Sequence, residues 1–332
     1  MKHFTTVHDV KNVDELVNEA IALKQNPFAF SHLGKNKTLG LIFMNPSLRT
    51  RMSTQKAAMN LGMNVIVMNV DKEGWALEFE DGAVMNGNKI EHIKDAAAVM
   101  GAYCDIIGIR CFPNLIDKKE DYSEKVLLKF MRHCKVPVVS LESATLHPLQ
   151  SLADLMTINE LWKKSQRPKV VLTWAPHIKP LPQAVANSFS EWMTKADIEF
   201  VITHPENYEL KEDYTRGPKI IYNQDEALHN ADFVYVKNWS SYKEYGKILC
   251  EDKSWMLTNE KLKITNNAKV MHCLPVRRNV ELSDEILDGK NSLVLKQAEN
   301  RVNAAQAVLK TILEKQNNFT NKIIHEEEIV HS

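Results

Sequence analysis

The chain has 332 residues, room for about two domains at roughly 150 residues each. Its 44% hydrophobic and 25% charged content is that of a globular protein with a large core, and excludes collagen, coiled coil and wholesale disorder. Lys+Arg and Asp+Glu both number 42, so no whole-protein positive field exists to draw nucleic acid, and only local basic sites remain open.

The first residues, Met1–Asn12, contain no apolar signal-peptide core, so the expectation is a cytoplasmic protein. The sequons at Asn238 and Asn318 then carry no sugar, because glycosylation needs the secretory route. Asn12-Val13-Asp14-Glu15 reads as a capping box opening a helix. Val13, Leu16, Val17, Ala20 and Ile21 share one face of it. Short β-rich runs then alternate with helical patterns. Strands are predicted at 39–44, 64–68, 105–110 and 137–141, with helices near 51–62, 91–103 and 121–134. The second half predicts strands at 169–174, 199–203, 233–237, 269–273 and 292–295. Its helices fall near 149–163, 183–196, 283–288 and 298–315.

Alternation of this kind means βαβ units and parallel sheets. The expected fold is therefore α/β, with two doubly wound parallel-sheet domains, 1–148 and 149–315, joined near the helix at 149–163. The polar tail, 316–332, is expected to fray. Two loops break the rhythm. Residues 70–90 hold Gly74, Trp75, Gly82 and Gly87 among many charges, and loops of that length are usually functional or disordered. Residues 175–182 carry three prolines, which stiffen and extend the segment. The five cysteines are odd in number and form no CxxC, so neither a disulfide framework nor a structural metal site is expected. No run of about 18 apolar residues suggests a membrane span.

In open α/β sheets, ligands bind beyond the carboxyl ends of strands. The first strand ends at Met44-Asn45-Pro46, followed by Ser47-Leu48-Arg49-Thr50-Arg51 and a helix. Helix-start amides, two hydroxyls and two forked guanidiniums suit an anion; the alternative is a capped helix with solvated arginines. Arg110 closes another apolar strand, either toward the same crevice or toward solvent. Glu142 follows a strand, and His147-Pro148-Leu149-Gln150 opens the next helix. A lone histidine is more often structural, but this one stands beside a carboxylate and an amide. Met271-His272-Cys273-Leu274-Pro275 ends a late strand, with Arg277 and Arg278 following. Cys273 is a potential nucleophile, although a small buried residue is the plainer reading. The Leu274-Pro275 bond is either cis or trans.

Together these segments resemble the carbamoyltransferase superfamily of aspartate and ornithine enzymes. Ser47-Leu48-Arg49-Thr50-Arg51 is similar to its S-x-R-T-R motif, His147-Pro148-Leu149-Gln150 to its H-P-x-Q motif, and His272-Cys273-Leu274-Pro275 to the H-C-L-P of ornithine-type members. Each motif alone is weak. Three in order, with Arg110 between the first two, are specific, and the resemblance covers nearly the whole chain.

One departure narrows it. The Ser-Met-Gly with which ornithine enzymes read free ornithine is missing, and Val236-Lys237-Asn238-Trp239 stands at that strand end. The proline-rich segment, Trp75 and Ala298-Glu299-Asn300-Arg301 look like the N-acylornithine branch. Acylation removes the α-ammonium charge, so a lysine replaces an acidic reader. The resemblance implies a trefoil knot in the second domain and a C-terminal helix packing back on the first. It also implies a homotrimer with shared active sites.

The implied reaction is carbamoyl transfer from carbamoyl phosphate to the δ-amine of an N-acylornithine, with no metal or cofactor. By resemblance, Ser47, Leu48, Arg49 and Thr50 bind phosphate, and Trp75 reaches a neighbouring subunit's site. Arg110, His147, Pro148, Leu149 and Gln150 hold the carbamoyl group, with Arg301 near the donor. Cys273 and Leu274 lie near the attacking amine. Arg110, His147 and Cys273 are the expected catalytic residues. Glu142, His177, Lys237, Leu274, Arg278 and Ile90 face the acylornithine. Acetyl enzymes resemble one another in a glutamate, and succinyl enzymes in a proline, where this chain has Ile90. Glu281 stands where acetyl enzymes carry a lysine. Losing a glutamate removes repulsion of a second carboxylate, so the expected acceptor is N-succinylornithine, with N-acetylornithine the alternative. A nicotinamide dehydrogenase would need G-x-G-x-x-G, which is absent among only 11 glycines. A non-catalytic metabolite-binding relative, and ordinary ornithine or aspartate transfer, remain as competing readings.

Overall fold

The computed structural model describes residues 1–330, the side chains of Asp71 and of 319–330 excepted. Its contacts divide the chain into two units, neither continuous in sequence. Unit 1 gathers Met1–Cys111, Lys125–Leu141 and the chain from Val302, while unit 2 gathers Phe112–Glu124 and Glu142–Arg301.

The first half of the chain forms β1 (Thr38–Phe43), β2 (Asn64–Asn69), β3 (Leu77–Glu78), β4 (Glu91–His92), β5 (Ile106–Arg110) and β6 (Val138–Glu142). Four of these make a sheet in the order β2-β1-β5-β6. β1 runs parallel to both neighbours, with Phe43 opposite Asn69 on one side and Arg110 on the other. Ile42, Ile107, Ile109, Phe130 and Val138 anchor one face of this sheet in a buried cluster. Each such side chain contributes about 1.5–3 kcal/mol by leaving water. Asn12 does cap the first helix, Val13–Gln25. Its Oδ1 accepts from Glu15 N at 3.2 Å, and its Nδ2 donates to Glu15 Oε1 at 2.9 Å. A cap of this type is worth about 1 kcal/mol.

The second half forms β7 (Lys169–Trp174), β8 (Glu199–Thr203), β9 (Lys219–Ile221), β10 (Phe233–Lys237) and β11 (Lys269–Met271). They make a second parallel sheet in the order β11-β10-β7-β8-β9. Each sheet therefore winds one way and then reverses. The reversal falls between β1 and β5 in the first and between β7 and β10 in the second. Switch points of this kind leave a crevice at the carboxyl ends of the strands, where ligands bind.

Four expectations change. Residues 292–295 do not form a strand: Ser292 makes one bridge with Val270, and Val294 already begins a helix. A short apolar run reads equally as a buried strand or a buried helical turn. The helix expected over 121–134 is two helices, Lys118–Tyr122 and Lys125–His133, broken where Glu124 takes a left-handed φ of 51°. The strand expected to reach Cys273 stops at Met271, ahead of Leu274 with φ 53°. β9 carried no period long enough to be read. The last helix spans Val294–Val330 and so continues through the polar tail, whose final residues, 331–332, lie outside the described residues. Among the described residues no helix is long and apolar enough to cross a membrane.

Candidate active site

In unit 1 the reversal between β1 and β5 gathers the first group. The Met44 amide donates to the Arg110 carbonyl at 2.9 Å, so the two strands end together. Arg110 is buried there. The chain turns through Ser47 and Leu48 into the helix Arg49–Asn60, with Leu48 at the N-cap and no side chain capping the helix start. Thr50 is buried, Ser47 and Arg49 are half-buried, and Leu48 is 66% exposed. A helix N-terminus with basic side chains beside it favours a doubly charged anion.

Trp75 and Ile90 stand at the two ends of the long loop, next to β3 and β4. The Ile90 amide donates to Ala76 O at 2.9 Å, next to the two-residue parallel pairing of β3 with β4. Trp75 Nε1 donates to Glu91 Oε2 at 2.7 Å. That pairing closes the long loop at its base, yet both side chains stay outward, Trp75 52% and Ile90 68% exposed.

In unit 2, His147 precedes the helix Pro148–Leu161, with proline at the first helical position, where its missing N–H costs nothing. His147 Nε2 lies 3.4 Å from Glu142 Oε2, and both residues are buried. The loop between them is held by Glu124, which accepts from Ser143 Oγ at 2.6 Å, from Thr145 N at 2.8 Å and from Thr145 Oγ1. Pro148 through Ile158 are all buried, so this helix is core on every side. Gln150 Nε2 donates to Asp154 Oδ1 at 2.8 Å, one turn further on. Asp154 Oδ1 also accepts from Gln297 Nε2 at 2.6 Å, and Gln297 Oε1 accepts the His272 amide at 3.0 Å. Burial pushes the Asp154 carboxyl up to about 7, against the hydrogen bonds from Gln150 and Gln297 and the charge of Arg301.

At the second reversal, Lys237 ends β10 opposite Trp174 and is buried. His177 follows in the proline-rich segment. Its Nδ1 lies 2.8 Å from Lys179 O, and its Nε2 accepts from Arg277 Nε at 3.2 Å. Burial lowers the His177 pKa, so the ring is neutral near pH 7. Leu274 joins Pro275 through a cis bond, and its amide donates to His272 Nδ1 at 2.9 Å. His272 Nε2 lies 3.3 Å from Glu281 Oε1, and Glu281 Oε2 accepts the Arg277 amide at 2.8 Å. Burial alone would raise Glu281, but His272, Lys237 and the Arg277 amide hold it down at about 2. Burial raises the Cys273 thiol, which Lys237 opposes, so the sulfur stays protonated. Arg301 is buried in the last helix. Arg278 is turned elsewhere: half-exposed, it binds Asp284 at 2.8 Å and Asp288 through both Nη atoms at 2.8–2.9 Å. Among the described residues no group of three or more His, Cys, Asp or Glu is arranged to hold a metal ion.

Asp154, Gln297 and Glu124 were not among the expected site residues. Asp154 had a signal, an acid four residues after Gln150 on an otherwise apolar helix. Gln297 and Glu124 had none, because only tertiary packing brings them in.

The reversal point of unit 1 carries a basic helix start suited to an anionic group, and that of unit 2 carries a buried lysine; each is a place for a charged substrate of a group transferase. Residues 2–160 match the family model for the aspartate/ornithine carbamoyltransferase carbamoyl-P binding domain, and residues 182–312 match that for the Asp/Orn binding domain. The chain belongs to the aspartate/ornithine carbamoyltransferase family.

Within it, the chain is 50% identical over 316 residues to the N-succinylornithine carbamoyltransferase of Bacteroides fragilis, covering 95% of this chain and 99% of that protein. It is 34% identical over 335 residues to the N-acetylornithine carbamoyltransferase of Xanthomonas campestris pv. campestris, covering 94% and 98%. A crystal structure of an N-acetyl-L-ornithine transcarbamylase mutant complexed with carbamyl phosphate and N-succinyl-L-norvaline superposes with a TM-score of 0.89. It is 33% identical and covers 94% of this chain and 100% of that one.

Proposed function

We propose that the chain transfers the carbamoyl group of carbamoyl phosphate to the δ-amine of N-succinyl-L-ornithine, giving N-succinyl-L-citrulline and phosphate, within arginine biosynthesis. The observation that carries this reading is Lys237, a buried cation at the β7–β10 reversal beside neutral His177. A cation there suits an acceptor that has lost its α-ammonium and gained carboxylates. The half-identity to N-succinylornithine carbamoyltransferases over almost their whole length points the same way.

Ser47, Leu48, Arg49 and Thr50 would hold the phosphate at the helix start, where amides and guanidinium meet the anion. Arg110 and His147 would donate to the carbamoyl oxygen, with Gln150 and the Pro148–Leu149 backbone on the carbamoyl nitrogen and Arg301 adding positive charge. The δ-amine lone pair attacks the carbonyl carbon, forming the C–N bond. The tetrahedral intermediate collapses, the C–O bond to phosphate breaks, and the amine proton leaves with the phosphate. Negative charge gathers on the carbamoyl oxygen, and each donor aimed there is worth about 3–4 kcal/mol. Holding both substrates in line removes entropy before the step. Glu142, His177 and Lys237 would orient the acceptor. The Leu274 carbonyl and the protonated Cys273 would direct the amine rather than deprotonate it.

The same proposal includes a homotrimer in which Trp75 completes a neighbour's site. Exposed Leu48, Met52, Trp75, Val84 and Ile90 on unit 1 support self-association. Cytoplasmic location is part of it, supported by five free thiols, the state a reducing compartment maintains. A trefoil knot is part of it too. The segments it would interlace are bonded, Ser240 N to Leu181 O at 2.9 Å and Asn238 Nδ2 to Ala175 O at 2.6 Å. N-acetylornithine transfer is the second reading, favoured by the close superposition on N-acetyl-L-ornithine transcarbamylase. Comparing kcat/KM for succinylornithine, acetylornithine, ornithine and aspartate decides. Preference for the acetyl acceptor would overturn the succinyl assignment, and turnover of free ornithine would overturn the reading of Lys237.

A further inference from the structure

We infer that Asp154 is a positioning residue that sets which end of the Gln150 side-chain amide faces the carbamoyl donor. The inference rests on the reading that Gln150 contacts that donor.

The chain of contacts begins at a group whose polarity is not negotiable. The His272 backbone N–H is a donor, so the Gln297 atom facing it at 3.0 Å is the carbonyl Oε1. The other end of that amide is then Nε2, which donates to Asp154 Oδ1 at 2.6 Å. Asp154 Oδ1 is thereby an acceptor, and it accepts equally from Gln150 Nε2 at 2.8 Å. Gln150 must turn its remaining atom, Oε1, the opposite way. That oxygen is buried and accepts no hydrogen bond from any described residue. A buried carbonyl without a donor costs about 1–3 kcal/mol, and a carbamoyl NH2 is a donor of the right kind.

A carboxylate suits this task better than an amide. Ionised, both its oxygens accept, and because Oδ1 already accepts from Gln150 and Gln297, a proton taken up as the pH falls goes to Oδ2, so Gln150 still meets an acceptor. An asparagine in its place can present either end. Asp154, Gln150 and Gln297 are all at most 1% exposed, so water does not compete for these bonds. The same contacts tie His147-Pro148-Leu149-Gln150 to His272-Cys273-Leu274-Pro275, two motifs more than a hundred residues apart, within one unit.

The test is a double-mutant cycle in the full-length enzyme, read as KM for carbamoyl phosphate at saturating acylornithine. Gln150→Ala is expected to raise it at least tenfold. Asp154→Leu, which keeps the shape and removes the acceptor, is expected to do the same with little change in the acylornithine KM. Asp154→Asn is expected to recover to within about fivefold of wild type. In the Gln150→Ala background Asp154→Leu should then add less than twofold, because the amide it orients is gone. If the leucine variant does not fold, Asp154→Asn carries the cycle, and its smaller loss must also vanish beside Gln150→Ala. A full extra loss in that background, or no loss from Asp154→Leu while Gln150→Ala weakens binding, overturns the inference alone. An unchanged KM in Gln150→Ala, or a wild type that does not use carbamoyl phosphate, overturns the underlying reading instead.

Discussion

The two units carry their functional side chains in opposite ways. In unit 1 Arg110 and Thr50 are buried, but the others stand on a helix start and an outward loop, with Leu48, Trp75 and Ile90 more than half exposed. In unit 2 Gln150, Asp154, Gln297, His272 and Glu281 are buried in a hydrogen-bonded web that ties helix to strand end. The first arrangement leaves side chains accessible to the proposed phosphate donor and the proposed neighbouring subunit. The second is preorganised, with the orientation of its side chains set by hydrogen bonds within the web. Catalysis that stabilises a developing charge needs the second kind of group, because reorienting dipoles during the reaction would cost the gain.

The largest effect should come where unit 1 supplies chemistry rather than docking. Arg110→Ala should lower kcat about a thousandfold, the equivalent of about 4 kcal/mol. Trp75→Ala should also be inactive, but for a different reason. If the proposed homotrimer shares its sites, mixed trimers of the two variants should recover part of the activity, since some sites then combine an intact Trp75 with an intact Arg110. Properly mixed trimers without recovery would erase the contrast between docking and chemical residues.

The buried web of unit 2 should answer to pH with two opposite signs. Glu281 is held below its ordinary value of 4.5, at about 2, so it stabilises the fold above pH 4.5 and loses that contribution as the pH falls through 2. Thermal melts of Glu281→Gln should lie below wild type at pH 7, by about 3 kcal/mol, and converge with it in that acid window. Asp154 is raised from 3.8 to about 7, so its ionised form costs stability that grows as the pH climbs through that range. Asp154→Asn should therefore melt higher than wild type at pH 8 and lose the advantage toward pH 4. Parallel curves for both variants would mean that neither carboxyl is tuned by the web.

The smallest effect belongs to the exposed loop. Ile90→Glu should lower kcat/KM for succinylornithine five- to tenfold, about 1 kcal/mol of repulsion at a solvated position, while sparing acetylornithine. Equal losses on both acceptors would remove Ile90 from the choice of acyl group.

Much of this was legible in the chain because its signals are local. Strands at 169–174, 199–203 and 233–237 announce themselves by apolar runs between turns, and the structure has them at the same bounds. The motif residues were legible because strand ends and helix starts adjoin in sequence. Strand order was not, since which side of β1 receives β5 is decided by tertiary packing. Gln297 was invisible for the same reason: its partners Asp154 and His272 are supplied from elsewhere in the chain. The first turn of the last helix was misread because Ser292–Leu295 is apolar enough for either period.

The discontinuity of unit 1 has a consequence for how the protein is born. Its first helix and its loop near Pro27 are fastened by the last helix, through Gln306 Nε2 on Pro27 O at 2.6 Å and Lys310 on Glu19 at 3.1 Å. Gln306 also accepts from Asn60 Nδ2 at 3.0 Å. A ribosome makes unit 1's opening residues first, yet supplies these fastenings only after Arg301, where unit 2 ends. Domains fold as units during synthesis, so unit 2 is complete while unit 1, begun earlier, still waits for its closing helix.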